Sequence, residues 1–437
     1  MKKLLKEKNI SINKDHVVSF ALVLIFSYIL INNAVMSVGG SLSYILYYIL
    51  MAFERGTILV SLYFIFRKDM KLVLLPYGIM AALYLLTFLC FPANTEVLAG
   101  TANTMFWYCL PALCFILGIE DVDYTFKIFI RMSFLLLFCA ILFSLSVTGI
   151  DQGFGYAMLF PIMVMWFLCL NHQYTLFSFI GFLILFYFLV VHCDRGSLVV
   201  TVCYIPVAIF TNTLEINDRN KDFKKNRFTF ETKKHKYSIL GIMYFCIFII
   251  LIILVGVNIQ DIAKFILENR TSDAYNKNLD LLASGRFISY TSGRAPIYAL
   301  SKKLIINSPI FGYGLSGDTI QLTKGFGYPM ITGDSTYAHN LVLGVLIHFG
   351  PVIGTVLLLF FFGGIVLTLI RMKQHSLEQE LFIMAMLYAV ISTAVSGTYL
   401  QEPIVWITLG FIIRTLFVKN PVKFRFVKFQ GDISDEA

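Results

Sequence analysis

Long apolar runs recur along this sequence and constrain its fold more than any other feature. A helix crosses the hydrocarbon core of a bilayer with about 20 predominantly apolar residues. Such runs lie near 17–36, 41–66, 72–91, 98–118, 128–148, 155–171, 174–192, 197–213, 238–258, 341–370, 380–397 and 403–418. They predict an all-α integral membrane protein with about twelve transmembrane helices. Composition closes the other choices. The 437 residues are 58% hydrophobic and 14% charged, whereas soluble domains carry about 25% charged residues. A soluble enzyme, a disordered chain and a secreted disulfide scaffold are excluded. Two runs are unusual. The run 41–66 carries Glu54 and Arg55 in its middle. Neighbouring residues on a helix do not face each other, so each needs a partner elsewhere, for structure or along a substrate path. The stretch 339–370 exceeds one straight span, and Gly350-Pro351 predicts a short leading helix followed by the crossing.

Charge orients the spans. Lys and Arg are retained on the cytoplasmic side. They cluster in the N-terminal tail (Lys2, Lys3, Lys6, Lys8, Lys14), at Arg67–Lys71, at Lys127 and Arg131, from Arg219 to Lys236, at Arg371 and Lys373, and in the C-terminal tail. These are alternate loops, so parity closes with both termini cytoplasmic. The net charge of +9 is thus a topology signal and not a sign of nucleic-acid binding. The basic loop 214–237 fits a tether near anionic headgroups. The chain divides into nine helices over 1–258, a large outer loop over 259–338, and three last helices with a cytoplasmic tail over 339–437. The first apolar run is too long for a cleavable signal, and no small-residue cleavage site follows it. The eight cysteines lie in or at the ends of spans without metal spacing and read as small apolar residues. No P-loop, HExxH or GxSxG occurs, so neither an ATP motor, a metal site nor a serine hydrolase is indicated.

An outer loop of such length is functional more often than connective. Within it, Ile297, Leu300, Leu304 and Ile305 form one helical stripe, with Lys302 and Lys303 off it, Ser292 as a cap and Pro309 as a stop. This suits a helix lying along the outer membrane surface. Ser-Gly-Arg occurs twice, as Ser284-Gly285-Arg286 and Ser292-Gly293-Arg294. A preceding glycine lets backbone approach a ligand, and a guanidinium donates a planar pair of hydrogen bonds to phosphate. Arg195, in Asp194-Arg195-Gly196, lies at the outer boundary between two spans; Asp194 is the plain partner for it. Gly312-Tyr313-Gly314 marks a turn. His339, in Tyr337-Ala338-His339-Asn340, stands where span ten begins, and a neutral imidazole there can take a proton from a hydroxyl. Asp318 and Asp334 are both candidates to orient it. His348 reads as a packed or paired residue inside the helix, and Glu402 is a further outer carboxylate.

These pieces together resemble the O-antigen ligase/polymerase family of bacterial membrane glycosyltransferases. The resemblance rests on Gly293-Arg294-Ala295-Pro296-Ile297-Tyr298, on Pro309-Ile310-Phe311-Gly312-Tyr313-Gly314, on His339-Asn340-Leu341 and on Arg195-Gly196. The motifs cover about a quarter of the chain; elsewhere only the span layout agrees. Asp194 stands where that family often has Ser, Tyr298 near where Trp is common, and His348 where Glu is frequent. Arg286 falls outside the pattern.

The resemblance implies a GT-C type fold and sugar transfer on the outer face of the bacterial cytoplasmic membrane, with no metal or other cofactor. Donor and acceptor would be undecaprenyl-diphosphate-linked oligosaccharides, with membrane lipid, a chain-length regulator and other glycan-assembly membrane proteins as partners. Outside the cytoplasm there are no nucleotide sugars, so an activated donor must be lipid-linked. Arginines can stabilise the charge that develops on a leaving diphosphate. The expected roles are His339 as general base, Arg195 and Arg294 on the diphosphate with Arg286 beside them, and inversion at the sugar. The Lys-, Ile-, Asn- and Phe-rich composition leans towards a repeat-unit polymerase of O-antigen or capsule. A ligase that transfers the finished glycan to lipid A core, and a lipid-linked oligosaccharide flippase, are the alternatives. A flippase would be expected to show repeated halves and midplane charges.

Overall fold

The computed structural model describes residues 14–37, 39–146, 152–171, 175–192, 195–213, 294–327, 337–372, 376–395 and 397–419, with isolated residues between 250 and 285. Among them, all regular structure is helical. The helices are α1 (Lys14–Ser37), α2 (Gly40–Lys68), α3 (Lys71–Cys90), α4 (Thr95–Thr104), α5 (Leu110–Gly118), α6 (Val122–Ser146), α7 (Gln152–Ala157), α8 (Leu159–Leu170), α9 (Thr175–His192), α10 (Arg195–Thr213), α11 (Arg294–Ile306), α12 (Gly317–Phe326), α13 (Leu341–Arg371), α14 (Leu377–Val395) and α15 (Pro403–Ile413).

Among the described residues, seven helical stretches are long and apolar enough to cross a membrane, and four shorter apolar ones occupy the runs expected near 155–171, 174–192, 197–213 and 403–418. By helix length and hydropathy the chain is a multi-pass membrane protein. The expected span 238–258 and the basic loop 214–237 lie outside the described residues, as do Asp194, Arg286 and Asp334. Burial agrees with a lipid solvent. Along α3 only Met80 and Thr87 are buried, while Leu74, Leu75, Ile79, Leu85, Leu86, Phe88 and Leu89 are exposed. A row of large apolar side chains of that extent is stable only against hydrocarbon. At the other extreme every residue of α8 is buried, which makes it the centre of the bundle.

Several polar groups inside the bundle are paired across helices. On α2, Glu54 accepts from the Tyr108 hydroxyl at 3.3 Å, and Arg55 lies over the Trp107 ring, 5.2 Å from its centroid. The consecutive residues 107 and 108 serve consecutive residues of α2 because they sit on a π-turn, Met105–Cys109, between α4 and α5. Pro111 lacks an N–H for the carbonyl of Trp107, and the wider turn, in which the Leu110 amide reaches Met105 O, absorbs the break. Tyr204 of α10 donates to Glu380 of α14 at 2.7 Å. At the end of α5, buried Arg414 donates to the carbonyls of Ile116 (2.8 Å), Ile119 and Glu120 (3.3 Å) and pairs with Glu378 at 3.3 Å.

The break expected at Gly350-Pro351 is present. Gly350 has φ 77° inside α13 and divides it into 341–349 and 351–371. Proline cannot serve Ile347 O, and the bend releases His348 O as well. Both carbonyls are taken by the Gly-Tyr-Gly turn. Tyr313 N donates to Ile347 O at 2.9 Å, and Gly314 N to His348 O at 3.1 Å. Asn94 Nδ2 fixes the turn from the other side through Tyr313 O (2.8 Å) and Leu315 O (3.0 Å). The α11 stripe is apolar as expected, but it faces protein: Ile297, Leu300, Leu304 and Ile305 pack on Leu322 of α12 and on Ala338 and Ile347. Lys302 and Lys303 are exposed.

Gly312 has φ 71°, and a Cβ there would run into Gly350 N and His348 O, both backbone atoms. Gly312→Ala should therefore lower stability by more than the ~1–2 kcal/mol of left-handed backbone strain alone. A drop in thermal unfolding temperature of the detergent-solubilised protein checks this, with Gly327→Ala, where a Cβ meets nothing within 4 Å, as the strain-only control.

Candidate functional site

The candidate site is built around the last turn of α14. The final carbonyls of a helix have no partner within it. Here Val395 O accepts from Arg294 Nη1, and Ala394 O accepts from Asn340 Nδ2 at 3.2 Å. Arg294 is the first residue of α11 and Asn340 caps α13, its Oδ1 accepting from Leu343 N at 3.1 Å. Arg195 is the first residue of α10. Its neighbour Gly196 is buried, and a Cβ there would run into the Tyr156 hydroxyl and lie 3.7 Å from Val395 Cγ1. Three sequence-predicted stretches, around Arg195, Arg294 and His339, thus converge on one helix end. The distance in sequence that separates them is bridged by backbone carbonyls and close packing.

His339 lies between Ala338 and Asn340 with φ 49°. A non-glycine residue in that region persists only where its surroundings hold it. Its ring is partly buried and lies against Tyr337, centroids 3.8 Å apart. On one side Asn340 is fixed as the cap. On the other, Ala338 N donates to Asp318 Oδ2 at 3.0 Å.

Asp318 does not stop there. Its Oδ1 lies 2.7 Å from His348 Nε2, and His348 Nδ1 lies 2.7 Å from the Tyr399 hydroxyl. His348, read from sequence as packed or paired, is paired. Burial alone would raise the Asp318 carboxyl. The His348 ring and the amides of Ala338 and Thr319 outweigh it and hold the group below the ordinary carboxylate value. Sequence reasoning named Asp318 and His348 separately but missed Tyr399 and the chain, since the three come from three elements.

Beside this relay is an apolar cavity of about 1060 Å³ between α3, α5, α13 and α15. Its lining runs along α3 from Lys71 to Phe91 and includes Leu113, Leu341 and Phe361. His348 and Tyr399 contribute to its wall, near the end where Leu315 N meets Thr87 Oγ1 at 3.3 Å. Glu402 lies behind the α14 end, in the turn before α15, where its Oε1 would meet a Cβ placed on Gly397 at 3.0 Å. It is within electrostatic reach of Tyr388, whose ring is parallel to that of Tyr156, centroids 5.9 Å apart. Compared with known proteins, the chain matches no family model, no curated protein and no solved structure.

Burial pushes the Glu402 carboxyl from 4.5 up to about 7. The folded chain then holds a proton that the unfolded chain releases. Stability falls as pH rises from the unfolded to the folded value, by about 3 kcal/mol in all. Glu402→Gln removes that loss. It should melt higher than the wild type at pH 8 and level with it at pH 4, a difference that thermal scans at the two pH values will read.

Proposed function

We propose that this chain is a membrane glycosyltransferase that joins lipid-diphosphate-linked oligosaccharide units into a polysaccharide, in the manner of the O-antigen polymerases it resembles. The reading takes twelve spans, both termini in the cytoplasm and the α14 end on the outer face of the cytoplasmic membrane. One observation carries it: Gly196 beside Arg195, Arg294 itself and Asn340 beside His339 all reach the last turn of α14. Guanidinium groups brought to that end suit a diphosphate.

The chemistry follows from charge and proton flow. Arg195 and Arg294 hold the donor diphosphate, and Arg286 belongs to the same set on its repeated tripeptide alone. The acceptor hydroxyl attacks the anomeric carbon as the bond from that carbon to the phosphate oxygen breaks. His339 takes the hydroxyl proton, and the electron pair leaves on the diphosphate, where the arginines stabilise it. Attack from the face opposite the leaving group inverts the centre. The apolar cavity supports the same reading, because a polyprenyl chain needs a lipophilic groove beside the polar site, and Leu341, two residues from His339, lines it.

Purified protein supplied with a synthetic lipid-diphosphate repeat unit tests the proposal. A ladder of products is expected. Transfer only to added lipid A core would assign a ligase instead, and no transfer of either kind would return the chain to the transporters. His339→Ala should lower the laddering rate by at least about 100-fold at normal protein level. Wild-type polymer length in that variant would remove His339 from the mechanism. Arg294→Lys keeps the charge at the α14 end but loses the planar fork, so it should fold normally and lose rate.

A further inference from the structure

We propose that Asp318, His348 and Tyr399 form a buried positioning relay that fixes the backbone of the 337–340 turn, and with it the direction in which His339 meets the acceptor hydroxyl. The assignment of a purpose to that direction rests on the glycosyl-transfer reading; the relay itself rests on geometry.

The three side chains come from α12, from the first half of α13 and from the turn between α14 and α15. Asp318 is 4% exposed, His348 1% and Tyr399 9%. The two links are both 2.7 Å. A buried carboxylate and imidazole are costly, and a packed apolar set of equal volume would stabilise this position at least as well. Packing alone therefore does not account for them. What the relay adds is a fixed point on the backbone. Asp318 Oδ2 accepts from Ala338 N at 3.0 Å, one residue before the left-handed His339. Asn340 holds the other side through Leu343 N and Ala394 O. With Asp318 turned or withdrawn, the turn loses the anchor next to His339, and His339 can relax.

The far end of the relay is also anchored. Tyr399 O accepts from Trp406 Nε1 of α15 at 2.7 Å. The relay thus ties the α14–α15 turn, next to the arginine-bound end of α14, to the turn that carries the imidazole. Both ring nitrogens of His348 are engaged by Asp318 and Tyr399, so its role is to position.

The test uses the full-length protein in detergent or nanodiscs. His348→Phe keeps the shape and removes both bonds. It should lower kcat for laddering by about 10–100-fold and leave KM for the lipid-diphosphate donor within about twofold. Hydrogen–deuterium exchange of the peptide spanning 337–343 should accelerate about tenfold. His348→Gln can donate to Asp318 and accept from Tyr399 and should recover most of both. Tyr399→Phe, which breaks only the outer link, should fall between and serves if His348→Phe fails to accumulate. Unchanged kcat in His348→Phe, a loss confined to KM, or unchanged exchange at 337–343 would each overturn the relay. If the wild type yields no product while exchange at 337–343 accelerates in His348→Phe, the relay stands as a backbone clamp and the glycosyl-transfer reading falls.

Discussion

A backbone carbonyl in or beside hydrocarbon has to be bonded by protein, because no water is there to do it. Much of this structure follows from where such carbonyls are set free. They arise at the Pro351 break of α13, at the last turn of α14 and at the end of α5. Each set is met by a donor from far along the chain. The Gly-Tyr-Gly turn meets the first, Arg294 and Asn340 the second, and Arg414 with Lys68 the third, Lys68 Nζ reaching Gly118 O at 3.1 Å. Helix ends and breaks therefore act as assembly points, and the polar layer above the bundle is docked by them.

The same constraint creates the candidate site. Once the turn at 310–314 is pinned to the broken helix, α12 follows it directly and delivers Asp318 to His348. Once Asn340 caps α13 and reaches Ala394, the residue before it is forced into the left-handed region between two anchors. Arg294 enters by the same route, as a donor to Val395. On the proposed reading, binding of a ligand and closure of the fold draw on the same few groups, so a disturbance of either should be felt at the other.

How far all this is legible in the sequence divides along the range of the interactions. Apolar runs are local, and the helix ends fall close to the expected ones; the run near 17–36 becomes Lys14–Ser37, and that near 72–91 becomes Lys71–Cys90. The break at Gly350-Pro351 is local too, because proline's missing N–H needs no knowledge of a partner. What the freed carbonyls would bind is not local. Tyr313 and Ile347 are 34 residues apart in the numbering, and nothing in either residue type announces the other. The α11 stripe shows the same limit: periodicity finds an apolar face, but a bilayer surface and α12 with α13 are equally apolar covers. Glu54 and Arg55 were bound to have partners, yet Tyr108 and Trp107 reach them only because a π-turn resets the register of the facing helix.

The arrangement at the α14 end also bears on how an anion could be held there. The C-terminus of a helix carries partial negative charge, about half an electron, and by itself would repel a diphosphate. Arg294 resolves the conflict if it is shared. Its guanidinium offers five N–H donors in a plane, and the bond to Val395 O accounts for one of its contacts among the described residues. That bond neutralises the helix end and fixes the plane of the fork, leaving the remaining donors directed by the same anchor. A lysine there would neutralise the end but fix no plane. The carbonyl that looks like a competitor for the arginine is thus what gives it a direction, and a pre-aimed guanidinium loses less entropy when an anion arrives than a free one would.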